Sequence, residues 1–120
     1  MGFDLTAVQS LQLWQGAIVE SVRRDSADLS ARQMALLLTV YLTPPPHTVR
    51  GLALSLDISK PAVTRALDRL SELGMVKRKI DETDRRSVLV QRTVKGSVYL
   101  REFGDMIVAA GKSAATTVGG

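Results

Sequence analysis

The 120-residue sequence predicts a mainly α-helical domain that carries one small β-hairpin. Three observations predict this class: apolar residues recur at spacings of three and four along most of the chain, a glycine ends the fourth such segment, and two short β-rich runs follow that glycine. The length and the 45% content of hydrophobic residues are enough for one core without disulfides or metal. No repeat or long linker divides the chain, so we expect a single domain over residues 1–120.

The first two helices are predicted from apolar periodicity and from capping residues. Residues 5–24 carry an apolar stripe made of Leu11, Trp14, Ile18 and Val22. Ser30 opens the second helix, and Gln33 follows at the spacing of a capping box. This helix is apolar nearly all round, as a buried central helix should be. The prolines at 44–46 end it, because proline lacks the amide that a helix needs.

The next two helices are short and closely spaced. Thr48 is a plausible cap for a third helix that runs through Leu56, and residues 57–59 form a turn with Ile58 pointing inward. Ser59 or Lys60 caps the fourth helix, whose first turn holds a proline. Gly74 supplies the left-handed residue that ends the fourth helix.

Two strands and a last helix complete the predicted fold. Residues 75–80 and 88–92 are predicted strands, and the polar residues 81–87 are the tip of their hairpin. A last helix starts at about Thr93, and residues 111–120 are expected to fray. The order of two short helices, a hairpin and a helix is typical of a helix-turn-helix followed by a wing, which straddles a DNA groove.

The positive charge of the chain is concentrated in the same region. Residues 60–101 hold eleven Lys or Arg against five Asp or Glu, a net +6, whereas the rest of the chain holds five against seven, a net −2. A local basic excess attracts polyanions and speeds their encounter. From charge alone, a merely solvated surface is an equally good interpretation.

The outer face of the fourth helix carries the candidate base-reading residues. Lys60, Thr64 and Arg65 lie at its start, beside small Pro61 and Ala62 that permit close approach. Arg65 can pair with guanine through two hydrogen bonds, and Arg69, one turn further, can reach a phosphate. An ordinary amphipathic surface helix is the alternative interpretation, and the neighbouring turn and hairpin favour DNA.

The hairpin tip carries two adjacent arginines, Arg85 and Arg86, next to Asp84. A narrow minor groove concentrates negative potential and attracts an arginine. One arginine could insert while the other pairs with Asp84. The spacing does not decide which arginine has which role, and a charged turn that only keeps the hairpin soluble is the alternative.

The segment LDISKPAVTRALDRLSELGMVKRKIDETDRRSVLVQRTVKG, residues 56–96, closely resembles the winged-helix core of the MarR family of bacterial transcription regulators. The start of the second helix, LSARQ at residues 29–33, is similar too. The resemblance implies a homodimer that binds double-stranded DNA at a pseudo-palindromic operator, more often as a repressor than as an activator. It assigns these residues to DNA: Ser59, Lys60, Pro61, Thr64, Arg65, Arg69, Arg85 and Arg86.

The resemblance also implies dimerisation through the N- and C-terminal helices. Within the single domain it suggests residues 1–26 as an N-terminal dimerisation helix, 30–96 as the winged-helix core and 97–120 as a short C-terminal helix with a frayed tail. The residues expected at the dimer contact are Leu11, Trp14, Ile18, Tyr99, Phe103 and Ile107. Because only 24 residues follow Gly96, we expect the dimer either to depend on the first helix or to be weak. A small-molecule effector is possible, as in other family members, and its site is not placed.

Composition argues against other classes of protein. The absence of cysteine excludes disulfides, thiol redox sensing and thiolate metal sites, and the lone His47 reads as a loop residue after the prolines. No phosphate-binding glycine pattern occurs, so we expect neither an enzyme nor a cofactor. The chain shows neither a signal peptide nor a membrane-spanning run, which indicates a cytoplasmic protein. Two rivals remain: a winged-helix module that binds an acidic protein, and a nonspecific nucleic-acid binder.

Overall fold

A computed structural model describes residues 4–117, which form five helices and three short strands. The helices are α1 (Ala7–Arg23), α2 (Ala31–Leu42), α3 (Val49–Leu56), α4 (Lys60–Glu72) and α5 (Val94–Thr117). The strands are β1 (His47–Thr48), β2 (Val76–Ile80) and β3 (Val88–Arg92). The predicted fold class is confirmed, with one strand more than predicted.

Side-chain caps fix the starts of the helices. The Ser30 hydroxyl accepts the Gln33 amide and the Gln33 side chain accepts the Ser30 amide, which confirms the predicted capping box of α2. Thr6 and Gln9 form a second capping box at the start of α1. Thr48 caps α3 and Ser59 caps α4, so the choice left open between Ser59 and Lys60 falls on Ser59. Each cap satisfies amides that the first turn of a helix leaves without partners.

The three strands form one antiparallel sheet in the order β1-β3-β2. The hairpin pairs Val76 with Arg92 and Ile80 with Val88, which leaves residues 81–87 at its tip as predicted. The interpretation of His47 as a loop residue was wrong, because His47 lies opposite Val90 in β1. A two-residue strand has too short a pattern to be recognised without its partner.

The structure divides into two compact units, Leu29–Leu100 and the combination of Met1–Asp28 with Arg101–Gly120. In the first unit, α2, α3 and α4 pack around a core to which the sheet adds Val76 and Val90. The most deeply buried large side chains of this unit are Leu36, Leu37, Val40, Leu52, Val63, Leu67 and Leu70. This unit contains the helix-turn-helix and the wing. The predicted division at residues 26, 30 and 96 lies close to these boundaries and stays a prediction.

In the second unit, α1 packs against the later part of α5. Phe103 is 5% exposed and meets the Trp14 ring edge-on, with the ring centroids 5.9 Å apart. A Cβ added at Gly16 would lie 2.8 Å from the Cβ of Ala110, so the absence of a side chain permits this close helix contact. Helix α5 continues to Thr117, although residues 111–120 were predicted to fray. Ala114 is buried, and α1 provides a surface that helps to bury it. The last three residues of the predicted tail lie outside the described residues.

Candidate DNA interface

The start of α4 presents the side chains that the sequence assigned to DNA. Val63, Ala66, Leu67 and Leu70 are buried on the inner face, whereas Lys60, Pro61, Thr64 and Arg65 are exposed on the outer face. Ser59 is also exposed, and its hydroxyl oxygen accepts the Ala62 amide at 3.2 Å. Of the two small residues expected to permit close approach, Pro61 is exposed, whereas Ala62 is 7% exposed and packs into the core.

An ion pair joins α4 to the wing. Arg78 of β2 places a guanidinium nitrogen 2.8 Å from a carboxylate oxygen of Asp68 on α4. Arg69 is half-buried, and one of its guanidinium nitrogens lies 3.8 Å from a carboxylate oxygen of Glu72 on the same helix. Glu72 therefore neutralises part of the Arg69 charge. Arg65 is exposed on the outer face of α4 and forms no ion pair among residues 4–117. Its guanidinium is therefore available for a bidentate contact with a base edge.

The tip of the wing is a turn held by two carboxylates. Asp81 accepts both the amide and the hydroxyl of Thr83, at 2.9 and 2.7 Å. These hydrogen bonds, the hydroxyl bond first, lower the pKa of Asp81. Asp84 accepts the backbone amide of Arg86, and the Ser87 amide donates to the Asp84 carbonyl at 2.8 Å. The carboxylates at the tip therefore shape the loop that presents the two arginines.

A cleft of about 500 Å³ lies between the wing, the start of α4 and the start of α3. Its lining residues are Val49, Arg50, Lys60, Thr64, Asp84, Arg86, Ser87 and Val88. The cleft brings together three of the predicted DNA residues, Lys60, Thr64 and Arg86. It also adds Arg50, which sequence analysis did not select because only the fold places the start of α3 next to the wing. Arg85 does not line this cleft.

The base of the wing is fixed to α2. The Tyr41 hydroxyl donates to the Met75 carbonyl at 2.7 Å and accepts the Thr93 amide at 2.8 Å, so it joins the residues just before β2 and just after β3. Arg92 donates to the carbonyls of Val40 and Thr43, at 2.8 and 2.9 Å, at the end of α2. The Arg92 guanidinium therefore caps the end of α2. It contributes less to the positive charge of the DNA-facing surface than its place among the basic residues 60–101 implied.

The predicted dimerisation residues fall into an exposed and a buried group. Leu11 is 69% exposed on α1, and Trp14 and Ile18 are also exposed, on the stripe that the sequence predicted. Tyr99 and Ile107 are half-buried on α5, whereas Phe103 is buried within its own unit. Phe103 therefore contributes to the core of this unit, and the assignment of all six residues to a dimer contact stays a prediction.

Two features of the described residues bear on other functions. The described residues 4–117 hold no cluster of three or more His, Cys, Asp or Glu side chains that could bind a metal ion. None of the helices in that part of the chain combines the length and apolar character needed to cross a bilayer.

Comparison with known proteins identifies the family. A model of the MarR family matches residues 27–87, just over half of the chain. The chain belongs to the MarR family. The resemblance to this family is confirmed, and membership makes the chain a DNA-binding transcription regulator of MarR type. Regulators of this family are generally not enzymes.

Solved structures of MarR-type proteins share the fold of this family member. The S. aureus MepR–DNA complex has 18% sequence identity and a TM-score of 0.73, over 93% of this chain and 89% of that chain. The transcriptional repressor CouR bound to a 23-mer DNA duplex has 22% identity and a TM-score of 0.71, over 91% and 74%. A transcriptional regulator from Thermotoga maritima has 20% identity and a TM-score of 0.65, over 91% and 71%.

Proposed function

We propose that this MarR family member is a transcriptional repressor that binds a pseudo-palindromic operator as a homodimer. One observation carries the proposal: the start of α4 and the arginines of the wing are both exposed on the same unit, and a cleft lies between them. Two of the solved structures that share the fold are complexes with DNA. A regulator of chromosomal genes would act in the cytoplasm.

Base reading is assigned to the start of α4. Arg65 would pair with a guanine in the major groove, and Thr64 would meet a thymine methyl group or a phosphate. Ser59, Lys60, Pro61 and Arg69 would surround them as positioning contacts. Affinity would come from neutralised phosphates, and it would therefore fall steeply as salt increases.

Arg65→Ala tests the assignment of sequence reading. We expect it to relax discrimination at one base pair of each half-site by about 1–3 kcal/mol, because a bidentate contact distinguishes bases and a phosphate contact does not. The measurement compares affinities for an operator, recovered from cells by genome-wide capture, with those for a set of single base-pair variants.

Arg32→Ala is the matched control, because it removes the same charge from an exposed residue of α2. It should leave the base preference unchanged. Equal weakening of Arg65→Ala on every operator variant would contradict base reading by Arg65. Equal affinity of the unaltered protein for operator and unrelated duplex would instead favour the nonspecific binder.

The rival function is binding to an acidic protein. The residues of the cleft and an experiment both distinguish it from DNA binding. Protein-binding surfaces are enriched in aromatic residues, whereas the lining of the cleft contains no aromatic residue and holds three basic ones, Arg50, Lys60 and Arg86. Recovery of a palindromic DNA site from cells would support sequence-specific DNA binding and the symmetry of the dimer together.

A further inference from the structure

The carboxyl end of α2 receives no amide donors from the residues that follow it. Thr43, the C-cap, has an extended backbone with φ −116° and ψ 154°. Residues 44–46 are three prolines, and proline has no backbone amide to donate. The last turn of α2 also holds no basic residue. Donors for the last carbonyls of this helix therefore come from elsewhere in the chain.

Arg92, the last residue of β3, supplies two such donors from 49 and 52 residues away in sequence. Its Nε donates to the Val40 carbonyl at 2.8 Å, and its Nη2 donates to the Thr43 carbonyl at 2.9 Å. The guanidinium also lies 5.9 Å from the centroid of the Tyr41 ring, within reach of a cation–π contact. A cation is favourable here because the carboxyl end of a helix carries a partial negative charge.

This contact fixes the wing relative to the helix-turn-helix. Among residues 4–117, Arg92 forms no ion pair, so the carbonyls of α2 are the groups that hold its guanidinium. Helix α2 packs against α4 within the same unit. A wing held at the end of α2 is therefore held relative to the helix whose start carries the candidate base-reading residues.

The length of the wing magnifies any rotation at its base. Strand β3 has five residues and is roughly 15 Å long, so a rotation of about 10° at Arg92 moves its far end by roughly 2.5 Å. Donor–acceptor distances in hydrogen bonds vary by only about 0.5 Å. The ion pair of Arg78 with Asp68 also restrains the wing, but the Asp68 side chain is exposed, and exposed pairs contribute little.

We propose that Arg92 is a positioning residue for DNA binding, which fixes the base of the wing to α2 so that the wing arginines and the start of α4 meet the DNA together. This role rests on the proposed function, because Arg85 and Arg86 are assigned to DNA there. Arg92 acts through these two arginines and makes no contact with DNA itself. The three prolines take part, since they leave the carbonyls of α2 to a side chain of the wing.

Spin labels test the positioning without DNA. The chain contains no cysteine, so Ser55→Cys on α3 and Glu82→Cys at the wing tip attach one label to each of two exposed residues. Pulsed electron paramagnetic resonance then measures the distribution of distances between them. We expect Arg92→Met, which removes the charge and the donors but keeps an unbranched side chain, to broaden or shift this distribution. Arg32→Met removes a charge from an exposed residue of α2 and should leave the distribution unchanged.

A double-mutant cycle tests the consequence for DNA binding, measured by fluorescence anisotropy on an operator. Arg92→Met should weaken binding by a factor on the order of ten, as the loss of a charged hydrogen bond does. It should weaken binding no further in a protein that already carries Arg85→Ala and Arg86→Ala. Combined with Arg65→Ala, its loss should add, because Arg65 belongs to a different element.

A direct contact of Arg92 with a phosphate would give a different result. The loss would then persist without the wing arginines, and the slope of log affinity against log salt would still fall by about 0.9 per subunit. That outcome would overturn the inference, and so would an unchanged distance distribution in Arg92→Met.

Arg92→Lys provides a second variant if thermal melts show that Arg92→Met is unfolded. Lysine keeps the charge but lacks the planar fork that reaches two carbonyls, so both readouts should lie between those of the unaltered protein and of one without the contact. Readouts equal to those of the unaltered protein would contradict a role for the two hydrogen bonds. Failure of the unaltered protein to prefer any operator would overturn the proposed function alone, since the distances between the spin labels do not depend on DNA.

Discussion

The hydroxyl of Tyr41 illustrates how a single atom can position a DNA-binding element. It joins the carbonyl of Met75 to the amide of Thr93, which are distant in sequence and adjacent at the base of the wing. Tyr41 lies in α2, which the sequence predicts to be apolar nearly all round, and that pattern gave no indication of the hydrogen bonds. Residue types and helical faces were predictable from spacing, whereas the partners of polar atoms were not, because they lie in other elements.

Asp81 gives a prediction at the same scale. Its pKa is lowered by the hydrogen bonds from Thr83, so its ionised form stabilises the tip of the wing. For a lowered pKa, this contribution is complete above the pKa of the unfolded chain and is lost as pH falls through that of the folded protein. Carbon NMR of the carboxyl group should therefore show a midpoint below that of an ordinary aspartate.

Thr83→Val removes the hydroxyl that is the largest cause of this shift, so the midpoint of Asp81 should rise toward the ordinary value. DNA affinity at neutral pH should change little in this variant, because Asp81 remains ionised there. An unchanged midpoint in Thr83→Val would show that the hydroxyl does not stabilise the carboxylate.

At the scale of elements, hydrogen bonds of one residue join the wing to α5 at the point where β3 ends and α5 begins. Thr93 accepts the Gly96 amide and donates to the Gly74 carbonyl at 2.7 Å, so it caps α5 and closes the base of the hairpin. The predicted ends of α2, α3 and α4 came from local capping and stop signals, and these are confirmed. The strand β1 could not be predicted locally, because pairing with β3 alone makes it a strand.

Gly96→Ala and Gly104→Ala form a matched pair within α5. A Cβ at Gly96 would collide with the Tyr41 hydroxyl and the Met75 carbonyl, whereas a Cβ at Gly104 meets no atom within 4 Å. We expect Gly96→Ala to lower the free energy of unfolding by about 1–3 kcal/mol through overpacking. Gly104→Ala should raise it by up to about 1 kcal/mol, because alanine favours a helix.

Urea unfolding followed by circular dichroism measures both changes. Gly96→Ala should also weaken DNA binding more than Gly104→Ala does, because its collision displaces the base of the wing. Similar stabilities for the two variants would contradict the close contact among Gly96, Tyr41 and Met75.

At the scale of the whole molecule, each unit of this chain leaves a different surface exposed. The unit with the helix-turn-helix presents basic side chains, and the unit with α1 presents an apolar stripe on which Val22 is 72% exposed. An exposed apolar stripe of this kind is typical of a surface that another chain covers. We therefore keep the homodimer as part of the proposed function.

Leu11→Glu tests this surface. It places a charge where the proposed partner packs, so we expect the dimer dissociation constant to rise on the order of tenfold or more. Operator affinity should fall with it, because the two half-sites would no longer be bound as one linked unit. Sedimentation equilibrium measures the association.

Leu54→Glu is the control for self-association, because Leu54 is equally exposed on α3 and is not among the predicted dimer residues. The two variants should melt at similar temperatures, since neither side chain belongs to a core. Unaltered self-association in Leu11→Glu would remove α1 from the proposed dimer contact.

The sequence by itself determined the helices, the caps of α2 and α3, the hairpin, the basic region and the family, because each depends on residues that are near neighbours along the chain. The tertiary structure alone decided which side chains meet. Chain folding places Arg50 beside Arg86 in one cleft and Arg92 at the end of α2, and it buries Phe103 against Trp14. Periodicity reports which face of an element is apolar, whereas contacts between distant residues depend on how the elements pack. Spacing does not separate the two wing arginines, and in the folded chain Arg86 lines the cleft whereas Arg85 does not.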